Sequence, residues 1–444
     1  MTSPVAPGES IIHCVLDWGA YGGIVNSPDA ASNQSNSSYQ ILLVALLSIS
    51  FGILFFDRNS LAFLMPFVQP ELKLNNTQVG VLASALSFTW ACAALGIGYI
   101  SDKLGSRKGL LIIATVIFSI CSFLTGMAHT FVAMLGARML MGVAEGGFMP
   151  ICQAMIAAEV KPQYRGLAMG VTQNFGSSVL GSFVAPVLLV GLAESFGWRN
   201  AFFLASAPGL VAALLMWILI RKTAAVAHAP SRAEAKPEGS LGAALGEPNV
   251  VICAILSILM VSYLVVCWTF MPLYLTQVRH FDPTTMGWLM GTLGISAAVG
   301  SFLISGLSDF IGRRPLMIAM PLIGVLLPLG AMFYEGSAWA LAGMFFVGWG
   351  LTGIFPLFMA TVPSESVDRA HLATALGLCM GIGEIVGGAA SPFIAGYVAD
   401  RVGLQAPLWI MIGLTVVAGL LAFGLRETAP RVLLRRAATP AAAA

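Results

Sequence analysis

The stretch Gly98–Lys108 reads GYISDKLGSRK, and a shorter copy, GLSDFIGRR, stands at Gly306–Arg314. Asp102, Gly105 and Arg107 of the first fall on Asp309, Gly312 and Arg314 of the second at one constant spacing. Each copy follows an apolar run long enough to cross a bilayer and precedes another. A polar turn met twice at the same place between such runs predicts a chain of two related halves.

A crossing needs about 20 apolar residues. Working outward from the two copies, that ruler gives six predicted spans at 41–66, 78–100, 109–128, 131–157, 167–192 and 201–220, and six more at 250–275, 285–308, 315–334, 338–360, 371–398 and 406–425. The fold class expected is all-α membrane: twelve transmembrane helices in two pseudo-symmetric six-helix bundles around a central cavity. The organisation expected is a flexible N-terminal tail at 1–38, a first bundle at 39–222, a linker at 223–248, a second bundle at 249–428 and a tail at 429–444. The linker region, rich in Ala, Pro and charge, has the composition of a connector.

Composition agrees. Of 444 residues, 58% are hydrophobic and only 9% charged, where soluble domains carry about 25%. A net charge of +2 gives no footing for nucleic acid. Six of the seven cysteines lie in apolar runs without metal-ligand spacing, so neither a metal nor another cofactor is expected. The N-terminal stretch lacks a basic start followed by an apolar run and a cleavage site, so no signal peptide is expected. Lys103, Arg107, Lys108, Lys161, Arg165, Arg221, Arg313, Arg314 and Arg369 fall on one side of the predicted membrane, against Lys73, Arg199, Arg279 and Arg401 on the other. This bias places both termini in the cytoplasm of a multi-pass inner or plasma membrane protein.

Within the spans, five ionisable residues lie at membrane depth: Asp57, Arg58, Arg138, Glu145 and Glu384. Such residues are costly in hydrocarbon and default to function. Arg138 and Glu145 are seven residues apart, close to two helical turns, so they share a face about 10 Å apart. That face must look into the bundle. An Asp57–Arg138 ion pair is the expected arrangement, leaving Arg58 to meet a substrate anion with its planar fork. A buried carboxylate holds a proton more readily than an exposed one. Glu145 is therefore the leading proton carrier and Asp57 the second. Glu384 lies in a Gly-rich run and is a further substrate or protonation candidate. Gln173, Asn174, Tyr263 and Trp268 are candidates to line the cavity.

The doubled motif, the six-plus-six layout and the charged linker resemble the major facilitator superfamily over nearly the whole chain. The resemblance implies that Asp102, Arg107, Asp309, Arg313 and Arg314 are gating and packing elements rather than substrate ligands. Ser106 departs from the motif, standing where many members have a basic residue. Asp57-Arg58 late in the first span, R-x6-E at Arg138 and Glu145, and EVKPQYRG at Glu159–Gly166 resemble the anion:cation symporter branch, which includes sugar-acid and phthalate-type permeases and vesicular glutamate and sialic acid carriers. Glu384 departs from the neutral residue, often Asn, that this branch implies there.

The function expected is a proton-coupled secondary transporter importing a small organic anion (sugar acid, dicarboxylate or aromatic acid) by alternating access, acting as a monomer with protons and the lipid bilayer as partners. The alternatives are a proton-driven exporter and a non-transporting sensor. Against export, the fifth span reads GSSVLGSFVAPVLLVG at Gly176–Gly191 and lacks the G-P-x-x-G-G pattern of drug antiporters. No catalytic domain or nucleotide-binding glycine motif is visible, so an enzyme is not expected.

Overall fold

A computed structural model describes residues 28–104, 107–161, 164–221, 242, 245–368 and 371–438. Among these residues every regular element is helical, and twelve segments are long and apolar enough to cross a membrane. They are α1 (Ser37–Leu72), α2 (Asn76–Ala94), α3 (Arg107–Met127), α4 (Phe131–Glu159), α5 (Arg165–Phe196), α6 (Trp198–Leu219), α7 (Pro248–Val278), α8 (Pro283–Ile311), α9 (Arg313–Phe333), α10 (Ala338–Ser366), α11 (Thr374–Val402) and α12 (Ala406–Gly424). A short helix, α13 (Pro430–Ala438), follows. The predicted spans match these segments one for one, with ends differing by no more than six residues.

The helix carrying α1 starts at Pro28, inside the predicted tail 1–38, and α13 occupies most of the predicted tail 429–444. Residues 1–27, 439–444 and nearly all of the predicted linker 223–248 lie outside the described residues. Contacts divide the chain into Met1–Leu43 and Val44–Ala444, and the packing below lies within the second unit.

The repeat is visible in the helices themselves. Ser177–Val184 in α5 and Gly383–Ala390 in α11 are widened to π-helical pitch, starting 206 residues apart. Each widened stretch runs up to a proline, Pro186 or Pro392, which has no N–H to return to the preceding turn. Side chains serve carbonyls there instead: Asn59 Nδ2 donates to Gly181 O at 3.1 Å, and Ser391 Oγ donates to Gly387 O.

Two long contacts join the halves, α2 along α11 and α5 along α8. The helices of the first pair approach so closely that a Cβ on Gly80 would lie 2.1 Å from the Pro392 carbonyl oxygen. At the end of this interface away from the motif loops, Asp400 closes α11 onto the start of α2. Its carboxylate accepts the backbone N–H groups of Asn76 and Thr77, each at 2.8 Å, and the Thr77 hydroxyl at 2.5 Å. The second contact ends alike: Thr284 Oγ1, at the start of α8, donates to Glu194 Oε2 at 2.6 Å. Gln277 Nε2 donates to Gln69 Oε1 at 2.8 Å, and the Phe393 N–H donates to Ser84 Oγ at 3.1 Å. Carboxylates at helix N-termini satisfy donors that the helix leaves unpaired.

Candidate functional site

Asp57 and Arg58 are neighbours on α1, about 100° apart around the helix, so their side chains leave in different directions. Asp57 is fully buried and points at α3, where Ser122 Oγ donates to its Oδ1 at 3.0 Å. Arg58 points the other way. Its guanidinium stands over the Trp90 ring of α2 at 5.2 Å and over Phe55 at 5.7 Å. Arg58 Nη1 lies 4.0 Å from Glu145 Oε2, and its side chain keeps 16% exposure while that of Glu145 has none.

The expected Asp57–Arg138 ion pair is not formed. Arg138 is buried and braces α4 against α1: its Nη1 donates to the Arg58 carbonyl oxygen at 3.1 Å and its Nη2 to Ser60 Oγ at 3.5 Å. The Phe202 ring lies 5.8 Å from its guanidinium carbon. The reason is positional. The Arg138 fork meets the α1 backbone beside Arg58, while the Asp57 carboxylate is turned to Ser122.

Glu145 ends the first part of α4, where Gly147 breaks the helix before Phe148. The neighbouring Gly146 lets α4 press on α2, since a Cβ there would lie 2.4 Å from the Trp90 carbonyl oxygen. This contact sets Glu145 and Trp90 on either side of Arg58. Both Glu145 carboxylate oxygens are buried without a hydrogen bond. At 4.0 Å and an effective dielectric of about 20, the attraction to Arg58 is about 4 kcal/mol. An incoming carboxylate able to chelate the fork can compete with that.

Glu384 approaches from the other half. It is half-buried in the widened stretch of α11 and interacts electrostatically with Arg58. A Cβ on Gly388 would lie 3.2 Å from Glu384 Oε2 and 3.7 Å from Ser87 Cβ, which places the carboxylate at the α2–α11 seam. The structure therefore sets Glu145 against the Arg58 guanidinium, places Glu384 at the seam that the other half makes with α2, and turns Asp57 and Arg138 to other partners.

The softer candidates separate. Trp268 is half-buried and packs edge-on against Phe63 of α1 at 5.5 Å and Trp349 of α10 at 5.3 Å, bridging the halves. Tyr263 is placed differently from the cavity-lining expectation. It is fully buried beside Trp349, and its hydroxyl donates to Gly324 O at 3.0 Å. The residue four positions beyond Gly324 is Pro328, which has no N–H to give, so the phenol replaces a missing helix bond. Gln173 is exposed and Asn174 half-buried in the π-helical stretch Val171–Phe175.

In the second motif copy, Arg313 binds Asp309 at 2.7 Å and Glu365 at 3.1 Å. Glu427 accepts the N–H groups of Arg313 and Arg314 at 2.8 and 3.2 Å, capping α9. Arg314 Nη2 donates to Phe423 O at 2.7 Å. These bonds stay within one half. In the first copy, Arg107 Nη1 donates to Ala154 O at 3.4 Å, while the side chain of Asp102 lies outside those described.

Sequence reasoning missed Trp90, Ser122, Ser60 and Ser87. A tryptophan or serine in an apolar span carries no signal of its own. Only the α1–α2–α4 packing reveals that Trp90 offers its ring face to a cation.

Comparison with known proteins agrees with this architecture. The family described as Major Facilitator Superfamily matches residues 47–378 and, in an overlapping match, 265–443. The chain is 25% identical over 410 residues to a probable sulfoacetate transporter of Cupriavidus necator, covering 86% of this chain and 92% of that protein. It is 24% identical over 406 residues to the hexuronate transporter of Bacillus subtilis, covering 86% and 94%. Among solved structures, a bacterial homologue of the human lysosomal transporter Spinster, in an inward-facing and occupied conformation, superposes with a TM-score of 0.71 at 19% identity, covering 87% and 96%. With its twelve spans, its doubled motif and this match over most of its length, the chain belongs to the Major Facilitator Superfamily and is a membrane transporter rather than an enzyme.

Proposed function

We propose that this transporter imports a small organic anion together with one or more protons. One observation carries the reading: Arg58 is a partly exposed guanidinium inside the membrane whose nearest carboxylate, Glu145, has no hydrogen bond to either oxygen. A substrate carboxylate takes the Arg58 fork, and Glu145, released from the cation, accepts a proton. Protonation in turn frees Arg58 for the substrate, so the two loads support one another. Asp57 is the second proton site. Glu384 and Trp268 complete the pocket from the other half, and Arg138 holds α4 against α1. The sulfoacetate and hexuronate named for two relatives are anions of this size, which supports the substrate class.

Both termini and the basic motif loops face the cytoplasm of an inner or plasma membrane, following the loop-charge bias. The bonds of Asp400, Glu194 and Gln277 then close the outer end. Residues 39–222 and 249–428 are the two rocking bodies, 223–248 their linker, and the working unit is a monomer.

The test is uptake of a radiolabelled panel of organic acids by proteoliposomes, with an inward proton gradient and with a protonophore. Gradient-dependent accumulation of a carboxylate is expected. Loss of preloaded substrate driven by the same gradient would identify an exporter instead.

A further inference from the structure

Helix α13 follows α12 on a short connection that is held in place. Arg426 N donates to Asn249 Oδ1 at 2.9 Å, Thr428 Oγ1 donates to Glu365 Oε2 at 2.6 Å, and Glu427 caps α9. The helix thus starts from a fixed point at the end of the bundle that carries the motif loops. Its first turn is pinned again, with Arg431 over the ring of Phe310 at 4.8 Å. Phe310 and Ile311 are the exposed apolar tip of α8.

The sequence PRVLLRRAA is two-faced at helical spacing. Leu433 and Leu434 fall on one side of the wheel and Arg431 and Arg435 on the other. Leu433 and Leu434 are exposed, Leu434 at 71%. Nine residues cannot cross a bilayer. A short helix with an uncovered apolar face and a basic face, starting beside the apolar tip of a membrane span, has the form of an interfacial helix.

We propose that α13 lies along the membrane surface, with Leu433 and Leu434 in the boundary between headgroups and acyl chains and its basic side toward anionic phospholipid headgroups. The occupant of this face is the bilayer, because the helix starts beside the exposed apolar tip of α8 and the charge on its other side matches anionic lipid. The inference does not depend on what the protein transports or in which direction.

The test uses the full-length protein in nanodiscs, with Cys14 and Cys92 replaced by Ser; the other cysteines described are buried. A fluorophore is attached through Leu434→Cys or, separately, Arg435→Cys. In phosphatidylcholine containing phosphatidylglycerol, lipids brominated high on the acyl chain should quench the probe at 434 strongly, and iodide should quench the probe at 435. Equal access of iodide to both positions would overturn the surface placement. The lipid quenching at 434 should weaken when phosphatidylglycerol is omitted, and also when Arg431 and Arg436 are both changed to Gln. Quenching indifferent to lipid charge in both comparisons would overturn the role of the arginines.

Discussion

The Asp400 carboxylate accepts the backbone N–H of Asn76 at 2.8 Å, joining the last turn of α11 to the first turn of α2. The internal repeat supplies a counterpart between α5 and α8, where Glu194 accepts the hydroxyl of Thr284. One half contributes the acid in one contact and receives it in the other. A closure of this kind holds both long interfaces at the same end, so neither can open alone without loading its counterpart.

Asp400→Asn combined with Glu194→Gln should therefore shift the protein toward the conformation open at that end. Spin-label distances across the α2–α11 and α5–α8 ends should lengthen in the double variant more than in either single one. Distances unchanged from the wild type would deny these contacts a part in closure.

Glu145→Gln should retain substrate exchange across the membrane but lose accumulation driven by a proton gradient, and its exchange rate should become insensitive to pH. The amide keeps the shape of the side chain while removing both its charge and its proton. Gradient-driven uptake at the wild-type level would remove Glu145 from the coupling step.

Arg58→Lys preserves a charge but gives up the planar fork and the stacking on Trp90. Apparent affinity for the proposed anionic substrate should fall roughly tenfold, the size expected for losing a charge-assisted bidentate contact worth about 1.4 kcal/mol or more. The measurement is the KM of uptake beside the thermal stability of the purified variant. A wild-type KM would mean that another cation receives the substrate.

Tyr263→Phe separates stability from binding. The hydroxyl serves the Gly324 carbonyl, so its loss should cost about 1 kcal/mol or more of folding stability. Substrate affinity should not change. A raised KM with unchanged melting temperature would return Tyr263 to the binding site.

Gly146→Ala should disturb the site from behind. The new methyl would press on the Trp90 carbonyl at 2.4 Å, an overpacking of about 1–3 kcal/mol. Melting temperature and substrate affinity should fall together, since the same contact sets Trp90 beside Arg58. A fully stable variant with normal uptake would show that α4 and α2 have room to separate.

Much of this architecture was legible in the residue order. Twelve apolar runs and a motif repeated at constant spacing were enough for the two halves, because the cost of leaving polar groups in hydrocarbon acts on every residue of a span. Arg58, Glu145 and Glu384 were legible as a group for the same reason. Their partners were not. Asp57 and Arg58 are adjacent in sequence, and which of them meets Ser122 and which meets Glu145 depends on the rotation of α1 against three neighbours. Tyr263 looked like a cavity aromatic; its partner is a carbonyl on another helix, stranded by Pro328. The acids Glu427 and Asp400, which cap α9 and α2, stand 114 and 324 residues away in sequence from the helix starts they serve, at positions where any exposed acid would look ordinary.

The two proline-bounded π stretches sit at equivalent heights in α5 and α11. A π turn holds one residue more than the regular helix needs. Drawing that residue into ordinary pitch would swivel the chain beyond it by about a quarter-turn. Each half thus carries a joint within one of its own helices, and Glu384, in the first turn of one of them, would swing about the helix axis as that joint tightened.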